Sequence, residues 1–214
     1  MPEPTPKAVQ TRKSRKSFWM RQFYTIHWMS SAISLIGLIL FAITGFTLNH
    51  AAEIEGEPVI AEGSGQLPAK LLPLIAPDDK PDAKKPLPPE VAAWVARTFS
   101  VKAGGEAEWS ADEVYLALPR PGGDGWVAID RATGEASSES TDRGWISYLN
   151  DLHKGRNAGT VWKVFIDVFV VACVIFSLTG LMLLQLHAGK RRSTWPLVAG
   201  GFVIPAVLAI VFIH

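Results

Sequence analysis

No intrachain disulfide can form in this chain, because its 214 residues include one cysteine, Cys173, which sits in an apolar stretch where packing is its expected role. Charge is missing over longer distances. No Asp, Glu, Lys or Arg occurs between Arg21 and Glu53, between Asp167 and Lys190, or from Ser193 to His214. Each gap exceeds the ~20 apolar residues that cross a ~30 Å hydrocarbon core, so three transmembrane helices are expected near 25–49, 161–186 and 195–213. Gly200, Gly201 and Pro205 interrupt the third, which membranes tolerate where neighbouring helices satisfy the backbone. Also absent are a zinc-protease spacing, paired cysteines, a phosphate-binding glycine loop, a catalytic serine motif and a thiol in an aqueous setting. Those absences exclude the usual hydrolase and nucleotide chemistries.

Basic residues set the expected orientation. Arg12, Lys13, Arg15, Lys16 and Arg21 precede the first span, and Lys190, Arg191 and Arg192 fill the turn between the second and third. By the positive-inside rule both face the cytoplasm, which leaves residues 51–152 outside. Residues 51–150 hold 17 Asp and Glu against 9 Lys and Arg, a net of −8 that suits an outer segment and gives no sign of nucleic-acid binding, so no nucleic-acid partner is expected. The first uncharged run is too long for a cleavable signal core and lacks a prompt cleavage site, so an uncleaved anchor is expected. Trp28, Trp145, Trp162 and Trp195 fall near span ends, where aromatic belts form.

The outer segment reads in two parts. Eight prolines between Pro58 and Pro89 favour an extended linker over 51–89. Pro88-Pro89-Glu90 then opens a helix with Val91, Trp94, Val95 and Phe99 on one face. EVYLALPR and GWVAIDRATGEAS alternate in polarity around a Pro-Gly-Gly-Asp-Gly turn and predict a β-hairpin, with a tight turn at Asp130 to Gly134. Trp109 and Trp126 are expected to pack rather than to line a binding surface.

Histidine marks the ends of the apolar runs. His27 opens the first and His50 closes it; His153 lies just ahead of the second and His187 closes it. Ionisable groups at a bilayer boundary facing a helix bundle are functional-site candidates, and two imidazoles per side suit two bis-histidine hemes. Thr44-Gly45 precedes His50 as Thr179-Gly180 precedes His187. Since the two spans run in opposite directions this is an antiparallel repeat, pairing His27 with His187 on the cytoplasmic side and His153 with His50 outside. At ~1.5 Å per helical residue His27 and His50 lie on the order of 35 Å apart, nearly a membrane crossing. Gly37, Gly45 and Gly180 would let a helix or a flat macrocycle approach the backbone. Asn49, Asn150, Asp151 and Gln185 are candidates to orient the imidazoles. Competing readings are interfacial snorkelling and a non-heme iron, copper or zinc site joining His50 to Glu53, Glu55 or Glu57. His214 has no visible partner.

The IHW start, FAITGFTLNH, DRATGE, NDLHKG, SLTG and the basic turn together resemble the PepSY-associated transmembrane helix family over most of residues 20–192. The resemblance implies an inner-membrane protein related to those of iron and siderophore uptake, some of which bind b-type heme and reduce ferric siderophores in the periplasm. It also implies His27, His50 and His153, and with a weaker match His187, as axial ligands of heme iron. Three spans and one small domain depart from the larger reductases of that family.

The expected fold class is a mainly α membrane protein with three transmembrane helices and a small α+β, PepSY-like periplasmic domain between the first and second. Its order is a basic cytoplasmic N-terminus (1–22), helix 1 (23–50), linker (51–89), PepSY-like domain (90–150), lead-in and helix 2 (151–188), basic turn (189–194) and helix 3 (195–214). The expected function is a b-type cytochrome-like protein of the bacterial inner membrane, with one or two hemes b, passing electrons to a periplasmic acceptor. Its expected partners are the lipid bilayer, a second copy or a membrane redox protein, and a periplasmic iron chelate or redox protein. The alternative is a non-enzymatic, membrane-tethered PepSY binding or assembly module.

Overall fold

The computed structural model describes residues 6–54, 56–77 and 83–213. Helix α1 (Pro6–Asn49) is unbroken because no proline follows its first residue until Pro58. A single turn, α2 (Ala51–Ile54), leads to β1 (Val59–Gln66), β2 (Ala83–Pro86), α3 (Pro89–Phe99), β3 (Glu106–Trp109), β4 (Glu113–Ala117), β5 (Gly123–Asp130) and β6 (Glu135–Asp142). Helices α4 (Gly144–Lys154), α5 (Gly159–His187) and α6 (Thr194–Phe212) complete the order. Among the described residues three helices are long and apolar enough to cross a membrane: Ser17–Asn49 of α1, α5 and α6. They match the three expected spans, and His214 and Glu55 lie outside the described residues.

The chain divides into two compact units, one of residues up to Ile39 and from Asp167 onward, the other Leu40–Ile166. In the first unit α1 and α5 run antiparallel, since contacts at Tyr24, His27 and Gly37 fall on His187, Thr179 and Phe169 in descending order. The meeting face of α1 carries His27, Ser30, Ser34 and Gly37, spaced by three or four residues, and that of α5 carries Phe169, Ala172, Phe176 and Thr179. Small residues on one helix admit the large ones of the other, which is how helices pack where lipid removes the hydrophobic drive. Ser34 is fully buried, and its hydroxyl donates to the Ser30 carbonyl at 2.6 Å. A Cβ at Gly37 would stand 2.3 Å from Phe169 Cε2, and Phe169 is only 7% exposed. Gly37→Ala should therefore cost about 1–3 kcal/mol of overpacking. A lowered melting temperature in detergent, recovered by adding Phe169→Ala, checks this; equal melting of Gly37→Ala and wild type contradicts it. Helix α6 leaves large apolar side chains such as Phe202 and Ile210 exposed, a surface suited to lipid.

The second unit is built on a six-stranded antiparallel sheet of order β1-β6-β5-β4-β3-β2. Its middle is the expected hairpin, with Val114 opposite Ile129 and Leu116 opposite Val127. Helix α3 buries Val91 and Val95 against these residues, and Trp94 and Phe99 pack at the margin, as its periodicity predicts. The expected linker over 51–89 is different: it supplies β1, paired with β6 along its whole length, and β2, paired with β3. Its prolines flank these strands or end them, and β1 hides from periodicity because its inward positions include Gly63 and Gly65. Glycine is needed there because Phe99 and Thr98 of α3 press on the strand, within 3.2 Å of where each Cβ would be. The α+β domain thus begins near residue 59.

Two polar devices hold this sheet. Asp130 Oδ1 accepts from the Ala132 and Thr133 amides and the Thr133 hydroxyl, which holds its carboxyl below the ordinary value, the Thr133 bonds first. Gly134, at φ +75°, completes that turn. Helix α4, which the sequence reading merged with the lead-in to the second span, is closed by Gly155 at φ +65°. Its buried Asp151 accepts the Gly122 amide at 2.9 Å, tying α4 to the β4–β5 turn.

Candidate functional site

The same local arrangement occurs once in each unit. In the first, the His27 ring stacks on Phe176 at 4.8 Å and 13°. Its Nδ1 lies 3.0 Å from Thr179 Oγ1 and 3.2 Å from the Phe176 carbonyl. Its Cε1 would be 3.1 Å from a Cβ at Gly180, so the missing side chain makes room for the ring. In the second, the His153 ring, on the last turn of α4, packs on Phe41 at 4.8 Å and 42°. Its Nδ1 is 2.6 Å from Thr44 Oγ1, and its Cε1 would be 3.6 Å from a Cβ at Gly45. The residues beneath the two rings are Phe41-Ala42-Ile43-Thr44-Gly45 and Phe176-Ser177-Leu178-Thr179-Gly180. Each Phe-x-x-Thr-Gly segment places ring, hydroxyl and gap on one helical face.

Hydrogen bonding fixes the imidazole nitrogens. A carbonyl only accepts, so His27 Nδ1 donates to Phe176, leaving the Nε2 lone pair free of any hydrogen bond among the described residues. His187 Nδ1 donates to the Leu183 carbonyl at 2.7 Å, and its Nε2 accepts the Tyr24 hydroxyl at 3.0 Å. His50 Nδ1 donates to Glu53 Oε2 at 3.0 Å, with its ring against Phe46 at 4.7 Å.

The expected pairs share a unit: His27 with His187 in one, His153 with His50 in the other. Their rings meet other residues rather than each other. His187 lies seven residues beyond Gly180 and His50 five beyond Gly45, ~10 Å and ~7 Å along a helix axis. The rings occupying Gly37, Gly45 and Gly180 are those of Phe169, His153 and His27.

The imidazole partners that the structure shows differ from those the sequence singled out. Asp151 serves the Gly122 amide and Arg156, Asn150 accepts the Thr47 hydroxyl at 2.8 Å, and neither Asn49 nor Gln185 bonds an imidazole among the described residues. Thr44, Thr179, Phe41, Phe176 and Tyr24 take that place. For the threonines and phenylalanines the signal was the repeat itself, read as a mark of symmetry and glycine contact rather than as a set of imidazole partners; Tyr24 carried none.

The family described as "Putative PepSY_TM-like" matches residues 18–214, almost the whole chain. The chain belongs to the PepSY_TM-like family. Searches of the curated proteins and of the solved structures gave no match. The match begins at Phe18, one residue into the first apolar helix, so the PepSY_TM-like region takes in both histidine seats, the sheet and all three candidate spans.

Proposed function

We propose that this PepSY_TM-like protein is a b-type cytochrome-like electron carrier of the bacterial inner membrane, passing electrons to a periplasmic acceptor such as a ferric siderophore. The observation that carries this reading is the duplicated seat of His27 and His153, each a half-buried imidazole on a Phe-x-x-Thr-Gly face. Metal-bound histidines have one nitrogen held by an acceptor and the other turned to the metal, and His27 meets that description by its own bonds. Neutral imidazole is a common axial ligand of heme iron, so His27 and His153, joined by His187 once it gives up the Tyr24 hydroxyl and by His50, would hold one or two hemes b. The bound group would supply a one-electron iron couple; the protein holds and orients it.

In this reading the basic residues in the first turns of α1 and between α5 and α6 face the cytoplasm and the sheet domain faces the periplasm, as the positive-inside rule suggests. Three helices form a thin wall around two macrocycles, so the carrier works as a homodimer or with a membrane redox partner. The test is a dithionite-reduced minus oxidised spectrum of detergent-purified protein expressed with ample heme, with a pyridine hemochrome count. Sharp b-type bands at one or two hemes per chain are expected, and a flat spectrum overturns the reading.

One observation favours the second reading, a membrane-tethered PepSY binding or assembly module. Trp109 packs as expected, its Nε1 donating to the Lys85 carbonyl at 3.0 Å. Trp126 instead stacks on Tyr115 at 6.0 Å on the sheet face away from α3. Burial first, then the nearby carboxylates of Glu108, Asp124, Glu113 and Glu139, hold the Tyr115 phenol above its ordinary value. An acidic surface around an aromatic pair suits a basic periplasmic partner. In that reading the histidines tolerate substitution while Trp126→Ala does not.

A further inference from the structure

We propose that Thr44 and Thr179 are positioning residues that set the tautomer of His153 and His27, holding the proton on Nδ1 so that Nε2 keeps a lone pair for iron. The inference rests on the heme reading for its purpose, but the tautomer belongs to the polypeptide alone.

The argument counts hydrogens. A threonine hydroxyl has one to give. Thr179 Oγ1 donates it within its own helix, to the Ile175 carbonyl at 2.7 Å or the Phe176 carbonyl at 3.0 Å. Thr44 does the same, to the Leu40 carbonyl at 2.9 Å or the Phe41 carbonyl at 3.3 Å. With that hydrogen assigned to the backbone, the oxygen presents a lone pair to the histidine and the histidine donates, a direction that the Phe176 carbonyl independently requires at His27. In the proposed arrangement the bonds run from imidazole Nδ1–H to hydroxyl oxygen to helix carbonyl in both seats. The phenylalanine under each ring and the glycine beside its Cε1 fix the ring plane, so the imidazole is held against turning over and exchanging its two nitrogens.

The two seats differ in one respect. His27 has the Phe176 carbonyl as a second acceptor, whereas among the described residues His153 Nδ1 has Thr44 alone. Removing the hydroxyl should therefore release His153 more completely than His27.

The experiment uses the full chain, labelled with ¹⁵N at histidine, in detergent. Imidazole nitrogen shifts of the heme-free protein report each tautomer, and titration with hemin then gives heme affinity. Wild type should show Nδ1–H at both His27 and His153. Thr44→Val should move His153 to a mixture or to Nε2–H and weaken its heme ~10- to 100-fold, the usual cost of losing an orienting partner. Thr179→Val should act on His27 in the same sense and less. Thr44→Ser and Thr179→Ser keep the hydroxyl and should restore both readouts. A merely structural threonine would change melting temperature and leave the tautomers alone. Unchanged tautomers in Thr44→Val, or Nε2–H at His153 in wild type, overturn the proposal. Correct tautomers in a protein that takes up no hemin leave the assignment of Thr44 and Thr179 standing and sink the cytochrome reading instead.

Discussion

A His27→Ala, His153→Ala double variant, expressed with ample heme and purified in detergent, is expected to retain less than about a tenth of the wild-type heme per chain, because on the cytochrome reading each heme would lose the better held of its two axial histidines. Each single variant loses about half if the chain binds two hemes, and the pyridine hemochrome count measures both outcomes. The choice of these two histidines follows from how each ring is held. His27 and His153 are half-buried, face an aromatic ring, lie over a glycine and have Nδ1 fixed. His187 is exposed, and its Nε2 lone pair already accepts the Tyr24 hydroxyl, a bond that iron would have to displace. His50 leans on Glu53, itself highly exposed, in the turn just past the end of α1. Substitutions at His187 or His50 should therefore lower heme retention less than those at their seated counterparts. Full heme in the double variant would refute the assignment of His27 and His153 as ligands and leave the cytochrome reading standing.

Composition made the membrane part of this fold legible. Three runs without charge were enough to place α1, α5 and α6, because a helix in lipid must be apolar along its whole length and nothing else competes for that signal. The hairpin and α3 were legible for a related reason: one face of each is buried, so polarity alternates along it. Strand β1 was hidden because the residues it turns to the core are glycines, which carry no hydrophobic mark, and because Pro58 and Pro68 beside it suggested a linker. Helix α4 was hidden for another reason. Its buried face carries Ser147, Asn150 and Asp151, and the last two bond to Thr47 and Gly122, neighbours that only the fold brings near. The candidate site was half legible. Position relative to the membrane picked out the four histidines, but the partners of His27 and His153 come from residues far away in sequence, 109 positions for Thr44 and His153 and 152 for His27 and Thr179. The repeated Thr-Gly was visible; what it faces was not.

The other large effect is expected at Arg131, which the sequence reading passed over as part of a turn. Its side chain is 1% exposed, and its guanidinium donates to the carbonyls of Ile75, Ser110 and Ala76, with the Trp109 ring 5.4 Å away. Those carbonyls belong to two separate loops, one before β2 and one between β3 and β4, so a single planar group fastens both to the end of β5. Arg131→Met keeps most of the volume but leaves buried acceptors without their donor, at about 1–3 kcal/mol for each group left unsatisfied. A net loss of about 3 kcal/mol would lower the melting temperature of a domain this size by on the order of 15 °C. Arg131→Lys should recover only part of it, because a compact ammonium cannot reach three carbonyls in the fork geometry of guanidinium. Circular dichroism of the β-sheet signal during heating, on the full chain in detergent, measures the shift. A fall below about 4 °C would mean that water takes over those carbonyls and that the arginine is not what fastens the loops. If the domain melts early while α1 and α5 keep their helical signal, the two compact units also unfold separately, and heme retained at His27 in that variant would show that the first seat does not depend on the sheet.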